Sequence, residues 1–243
     1  MESLRHFSIE TAGTVHHLKW LLASLRISGA KDFPKGSPHS IQFPSLSSGD
    51  TIPRIDPAQK LASIKEQIGE CRRCRLHEGR SHLVFGEGSP TARLVFVGEA
   101  PGFDEDRQGI PFVGRAGKLL NKMIDSLGLT RDHVYICNVV KCRPPRNRTP
   151  NADEIEICSV FLIQQLMAIK PEIICALGNC AAQTLLETSN SVSRLRGRLH
   201  QWRGIPLICT FHPAYLLRNP SQKAAVWQDL HEIYSILNEQ EGG

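Results

Sequence analysis

No apolar run in the 243-residue chain is long enough to span a bilayer, and the most apolar N-terminal stretch, His17 to Ile27, is short and amphipathic. A helical membrane protein is therefore not expected. The front end does not read as a secretory signal either, because Glu2 and Glu10 interrupt it. Without export the thiols stay reduced, so the eight cysteines are not expected to form a disulfide framework. Internal repeats are missing, which excludes a solenoid.

What is present is an ordinary globular composition, 41% hydrophobic and 22% charged, in a chain long enough for one sizeable core plus an appendage. The net charge of +5 is mild but unevenly placed. Arg72, Arg73, Arg75 and Arg80 form one cluster, Lys141, Arg143, Arg146 and Arg148 a second, and Arg194, Arg196, Arg198 and Arg203 a third. Any one of them is adequately explained as a solvated face. Gathered on one surface, they would neutralise a phosphate backbone.

Three segments follow from the local chemistry. Residues 1–33 hold one amphipathic helix centred on Leu18, Leu21, Leu22 and Leu25. Residues 34–55 are rich in Pro and Ser, keep no period and read as a linker. The core, 56–243, opens on Asp56-Pro57, an N-cap followed by Pro at the first helical position. That helix runs to about Glu70 and delivers Cys71 and Cys74 at its end.

Short apolar strands then alternate with helices. Strands are expected over 93–98, 133–140, 172–177 and 206–210, and helices over 114–127, 151–169, from 179, and 221–237. The pattern predicts an α/β fold, a three-layer α/β/α sandwich around a mostly parallel four-stranded sheet. Ligands of such sheets bind beyond the carboxyl ends of the strands. The residues there are Gly98-Glu99-Ala100-Pro101-Gly102, Asn138, Gly178-Asn179 and His212-Pro213.

Each of these has a bland explanation and a sharper one. Gly98 and Gly102 let the backbone approach a ligand, or simply turn an exposed acidic loop carrying Glu99 and Glu105. Phe112, between glycines, is either core or a wall for a flat ring. The Asn138 amide binds neighbouring backbone, or matches the donor–acceptor edge of a nucleobase. His212 can donate to developing negative charge. The stretch after it reads as a loop in which Tyr215, Leu216 and Leu217 stand exposed beside Arg218, a combination suited to wedging into a base stack.

Four cysteines form two pairs, Cys71 and Cys74 as C-x2-C, then Cys142 and Cys158, fifteen residues lying between the latter two. Zinc sites with four thiolates usually show two close pairs, and here the second is spread over a loop and a helix. An iron–sulfur cluster suits the spacing at least as well. Cys137 rivals Cys142 as a ligand, although its strand position points it to the core. Cys175, Cys180 and Cys209 read as small buried hydrophobes.

Taken in order, the segments C-R-R-C (71–74), G-E-A-P-G-F-D-E-D (98–106), G-I-P-F-V-G-R-A-G (109–117), N-V-V-K-C-R-P-P (138–145), A-L-G (176–178) and H-P-A-Y-L-L-R-N-P (212–220) resemble the type-4 uracil-DNA glycosylases. These are the iron–sulfur branch of the uracil-DNA glycosylase superfamily, and the resemblance covers about 64–233. It implies hydrolysis of the N-glycosidic bond of uracil in single- or double-stranded DNA. It also implies a 4Fe–4S cluster on Cys71, Cys74, Cys142 and Cys158. Phe112 matches the stacking residue, Asn138 the amide that reads the uracil edge, and His212 the histidine facing the uracil carbonyl. Glu99 matches an acidic position assigned to water positioning or cation stabilisation, and Glu105 one assigned to pocket shaping. Gly98 and Gly102 match the substrate loop. DNA contacts are expected from Arg143, Arg146, Arg148, Leu216, Leu217 and Arg218.

Two departures bear on chemistry. The first motif is G-E-A-P-G rather than G-E-Q-P-G. The stretch from Arg143 to Pro150 contains no histidine, unlike the branch that traps a covalent histidine–DNA adduct, so turnover is expected. No strand-end lysine other than Lys141 is present, so Schiff-base chemistry is not expected. The implied protein is a cytoplasmic monomer of bacterial or archaeal type, associated with the nucleoid through DNA, whose N-terminal extension could meet a repair or replication partner. A metal-stapled DNA-binding module and a small-molecule hydrolase are the rivals. The first leaves Glu99, Asn138 and His212 unexplained, the second the arginine-rich cysteine loops.

Overall fold

The structure, a computed structural model, describes residues 56–239. The expected N-terminal helix and linker lie outside the described residues.

Helix α1 (Pro57–Ile68) starts as its sequence dictates. Asp56 caps it, its carboxylate accepting from the Ala58 N–H at 3.3 Å, and Pro57 occupies the first turn. Six strands follow in one sheet: β1 (Glu87–Gly88), β2 (Leu94–Gly98), β3 (Tyr135–Asn138), β4 (Ile173–Leu177), β5 (Leu199–Trp202) and β6 (Ile205–Thr210). Their order is β1-β3-β2-β4-β6-β5. The central four are parallel, and β1 and β5 pair antiparallel at the edges. The four expected strands are thus the parallel centre, and the sheet is larger than expected by two edge strands. Neither edge strand carries a long apolar run. β1 has two residues and β5 (LHQW) four, with Leu199 and Gln201 exposed on one face and His200 and Trp202 less so on the other, so no apolar run announces them.

Every residue of β2, β3 and β4 is buried, so helices cover both faces of the sheet. The helices are α2 (Phe103–Gln108), α3 (Arg115–Asp125), α4 (Ala152–Ile169), α5 (Asn179–Leu186), α6 (Val192–Leu195), α7 (Pro213–Arg218) and α8 (Lys223–Glu239). Helix α1 packs on α4, α3 packs on α7, and α8 lies against β4 and β6. No helix among the described residues is long and apolar enough to cross a membrane.

The stretch after His212 is a correction. It is not a loop but α7, entered through His212 as N-cap with Pro213 in its first turn. Helical spacing splits the apolar side chains that an extended loop would expose together. Tyr215 and Leu217 stay 36% and 39% exposed, whereas Leu216 turns inward and is 2% exposed. Leu216 is core, and is not available as a DNA wedge.

Candidate active site

The site is built where β2 and β3 end side by side. Gly98 pairs with Asn138 in register, and the chain beyond β3 stays hooked to the chain beyond β2. The Val139 N–H donates to the Gly98 carbonyl at 2.9 Å and the Val140 N–H to the Glu99 carbonyl at 3.1 Å. A Cβ at position 98 would lie 2.4 Å from Asn138 Oδ1 and 2.6 Å from Phe112 Cζ. Only glycine therefore lets the amide and the ring close on one space.

That space is a cavity of about 450 Å³, lined by Glu99, Gly102, Glu105, Phe112, Asn138 and His212 among others. The expected site residues from four separate motifs are thus brought together. Asn138 is 1% exposed, and its buried Oδ1 has no hydrogen-bond partner among the described residues. A buried amide oxygen left unpaired is costly, and such an atom calls for a ligand donor.

Phe112 has φ of +53°, a left-handed conformation rare for an aromatic residue. Two residues hold it there. Arg131 donates to the Phe112 carbonyl at 3.2 Å and the Pro111 carbonyl at 2.8 Å, with Asn121 and Glu87 as its further partners. Glu105 accepts from the Gly102 N–H at 3.1 Å and from the Val113 and Gly114 N–H groups at 2.9 Å. Both Glu105 oxygens are therefore engaged by backbone. It fastens the two loops of the cavity rather than offering a free carboxylate to the reacting atoms. Arg131 carries no local sequence signal, since its partners are assembled only by the fold.

His212 accepts from the Ala214 N–H through Nδ1 at 3.1 Å, which places its proton on Nε2. Its ring lies 5.5 Å from that of Phe112. Burial, with Arg218 nearby, pushes its pKa down to about 4, so the imidazole is neutral at neutral pH. Glu99 lines both this cavity and an adjoining groove of about 790 Å³, and the two share Thr149, His212 and Tyr215 as well. Burial raises the Glu99 pKa above the usual carboxylate value, opposed by a hydrogen bond from Thr149. Phe112 and Asn138 line only the smaller cavity, which marks that one as the place for a flat ring. Thr149 was not singled out by the sequence.

The basic clusters are distributed unequally. Arg146 is exposed, and Arg143 stacks over Phe103 at 5.0 Å while donating to Asn147. Arg148 lines the cavity, yet its guanidinium is bound in a two-pronged pair with buried Glu154 at 2.8 and 2.6 Å. Arg196 is likewise spent on buried Asp229. Lys141 is not on a basic loop surface at all. It is 0% exposed and lines the cysteine cavity, not the base-sized one.

Cys71, Cys74, Cys142 and Cys158 line one small cavity with Ile68, Leu83 and Phe161. Three of the four sulfurs face N–H donors: Arg73 to Cys71 at 3.2 Å, Arg80 to Cys142 at 3.2 Å, and the Lys141 backbone to Cys158 at 3.3 Å. Donors of this kind stabilise sulfur that carries negative charge. No group of three or more His, Cys, Asp or Glu side chains among the described residues converges as a single metal ion needs. Four thiols thus line one cavity, three of them facing N–H donors. Cys137 is 1% exposed in β3 and does not line this cavity.

The sequence profile described as "Uracil DNA glycosylase superfamily" matches residues 85–231, the span that holds the base-sized cavity but not Cys71 and Cys74. The chain belongs to the uracil-DNA glycosylase superfamily. Within it, the chain is 44% identical to the type-4 uracil-DNA glycosylase of Thermotoga maritima over 73% of its own length and 94% of that relative. The type-4 uracil-DNA glycosylase of Archaeoglobus fulgidus is 41% identical, over 75% of this chain and 96% of the relative. A type-5 uracil-DNA glycosylase of Pyrobaculum aerophilum is more distant, at 33% identity over 65% of the chain. The resemblance to the type-4 branch is thereby borne out.

Proposed function

We propose that this protein excises uracil from DNA by hydrolysing the bond between the base and the sugar. The observation that carries the reading is the buried, unpartnered Asn138 Oδ1 of a side chain that lines, with Phe112 and His212, one cavity of about 450 Å³. Uracil presents an N3–H beside a carbonyl, and an Asn amide presents the complementary acceptor and donor. A base inside a duplex is out of reach, so the nucleotide must turn out of the stack and enter edge-on beside Asn138.

As the C1′–N1 bond breaks, both electrons leave with the base and negative charge collects on its O2. Neutral His212 offers Nε2–H to that oxygen, a fixed donor where charge develops. The sugar becomes oxocarbenium-like. Glu99, acting as a carboxylate, stabilises that cation and orients the water whose oxygen bonds to C1′, the water's proton passing to Glu99 and the net proton ending on the released uracil. Arg143, Arg146, Leu217 and Arg218 are the reading for DNA contact, and Arg148 positions its loop through Glu154. Lys141 is buried and hydrogen-bonded, and among the described residues no lysine lines the base-sized cavity or the adjoining groove.

Cys71, Cys74, Cys142 and Cys158 are the residues that would hold a 4Fe–4S cluster. When bound, the cluster supplies a cross-link between the Cys71 loop, the Cys142 loop and α4. The protein is read as a cytoplasmic monomer, with residues 1–55 available to a partner.

The test is incubation with a uracil-containing oligonucleotide followed by alkali. Strand cleavage at the uracil position and release of free uracil are expected. Borohydride added during the reaction should trap no protein–DNA adduct, and a covalent product would overturn the hydrolytic reading. The pH profile is a separate prediction. Glu99 acts as a carboxylate, so the single-turnover rate should fall on acidification, starting above the pH at which an ordinary glutamate titrates. His212, titrating only near 4, adds no limb at the usual histidine position. Glu99→Gln should be slower throughout and lose the acid limb. An acid limb that survives in Glu99→Gln would transfer the titration to another group.

A further inference from the structure

Lys141 is the most unusual buried residue outside the cavity. It is 0% exposed, and no carboxylate pairs with it among the described residues. Its Nζ donates to the main-chain carbonyl of Asn138 at 2.8 Å and to Gln165 Oε1 at 2.6 Å. Gln165, also 0% exposed, is fixed in turn, donating to the Phe85 carbonyl at 2.9 Å and to the Tyr135 hydroxyl at 3.1 Å. The main chain of Lys141 is held as tightly. Its carbonyl accepts from the Val84 N–H at 2.8 Å and its N–H donates to Cys158 Sγ at 3.3 Å.

One residue therefore touches both ends of a five-residue strap. At one end is Asn138, the amide that closes the base cavity. At the other is Cys142, with Cys158 across from it on α4. Burying a lysine costs several kcal/mol of desolvation in general, and an apolar side chain of the same length would pack there more cheaply. A side chain kept at that cost needs a reason the core does not provide. β3 ends at Asn138, in the last pair with β2, and Lys141 donates to its carbonyl.

We propose that Lys141 is a positioning residue for the base-reading amide: through its bonds to the Asn138 carbonyl and to Gln165, it fixes the strap between the base cavity and the cysteine cavity, so that Asn138 is preset for the base. The inference rests on the uracil-excising reading, and its cysteine end rests on the cluster reading.

The experiment compares wild type with Lys141→Met, which keeps the length and loses the donor. Iron per chain, affinity for a duplex with a stable abasic-site analogue, and single-turnover uracil release are measured for each. Iron and abasic-site affinity should hold while uracil release falls about tenfold or more, the size of one lost buried hydrogen bond. A purely structural role would lower all three together. Unchanged release in an iron-loaded Lys141→Met protein overturns the proposal. If Lys141→Met loses iron or abasic-site affinity, Gln165→Leu decides. The same split there upholds the proposal, and no loss or a parallel loss of all three overturns it. Wild type keeps the failures apart, since absence of uracil release refutes the functional reading and absence of iron refutes the cluster reading, each without reference to Lys141.

Discussion

Asn138→Ala should lower the single-turnover rate of uracil release by about 10² to 10³-fold, the loss seen when a donor or acceptor aimed at a reacting group is removed. The wild-type residue is already desolvated, 1% exposed with its Oδ1 unpaired, so that part of the cost of recognition is met in the fold before the base arrives. Removing the side chain does not leave a buried partner stranded, because the amide has none among the described residues. Fold stability should therefore change little, and the thermal midpoint should stay close to wild type. Affinity for an abasic-site duplex should also hold, because the amide faces the base and not the backbone. The informative result is this split between release and binding. Equal loss of both would mean that Asn138 shapes the sheet end rather than reads a base.

Cys142→Ser should act on a different property. Cys142 is 5% exposed and accepts from Arg80 Nη1, which also donates to the Cys71 carbonyl at 2.7 Å. Among the described residues, the carboxylate partner left to Arg80 is exposed Glu70, in a longer pair at 3.6 Å. Losing the sulfur removes a ligand from the cavity and a partner from a largely buried guanidinium. The expected result is loss of bound iron and of visible absorption. Destabilisation should reach about 3 kcal/mol, or about 10 °C in Tm for a chain of this size, because metal binding free energy is folding free energy in such sites. Cys137→Ala is the control. It lies in β3 away from the cavity and should keep its iron, which separates a lost ligand from a disturbed core. A Cys142→Ser protein with full iron content and unchanged Tm would remove Cys142 from the ligand set.

Much of the site was legible before any fold was known. Four apolar runs gave the parallel centre of the sheet, and the rule that ligands bind at strand ends picked out Glu99, Asn138 and His212. The cysteine spacing named the four residues that line one cavity. The illegible parts share a cause. Leu216 looks like an exposed neighbour of Leu217 until helical geometry sends the two in different directions. Lys141 sits in an arginine-rich stretch, and composition assigns it to the surface. Its burial depends on Gln165, distant in the sequence and carried by α4. Glu105 reads as an acid in an acidic motif, yet three backbone N–H groups claim its oxygens.

The sequence by itself determined the four central strands, the longer helices and the chemical types available at the strand ends, because periodicity, capping and glycine placement act over a few residues. The tertiary structure alone decided which polar groups are satisfied by the protein and which are left for a ligand. Arg148, Lys141 and Glu105 are spent inside the fold, while Asn138 Oδ1 and His212 Nε2–H are not. That division depends on contacts between residues far apart in the chain, and hydrogen-bond satisfaction is a property of the packed molecule rather than of any segment.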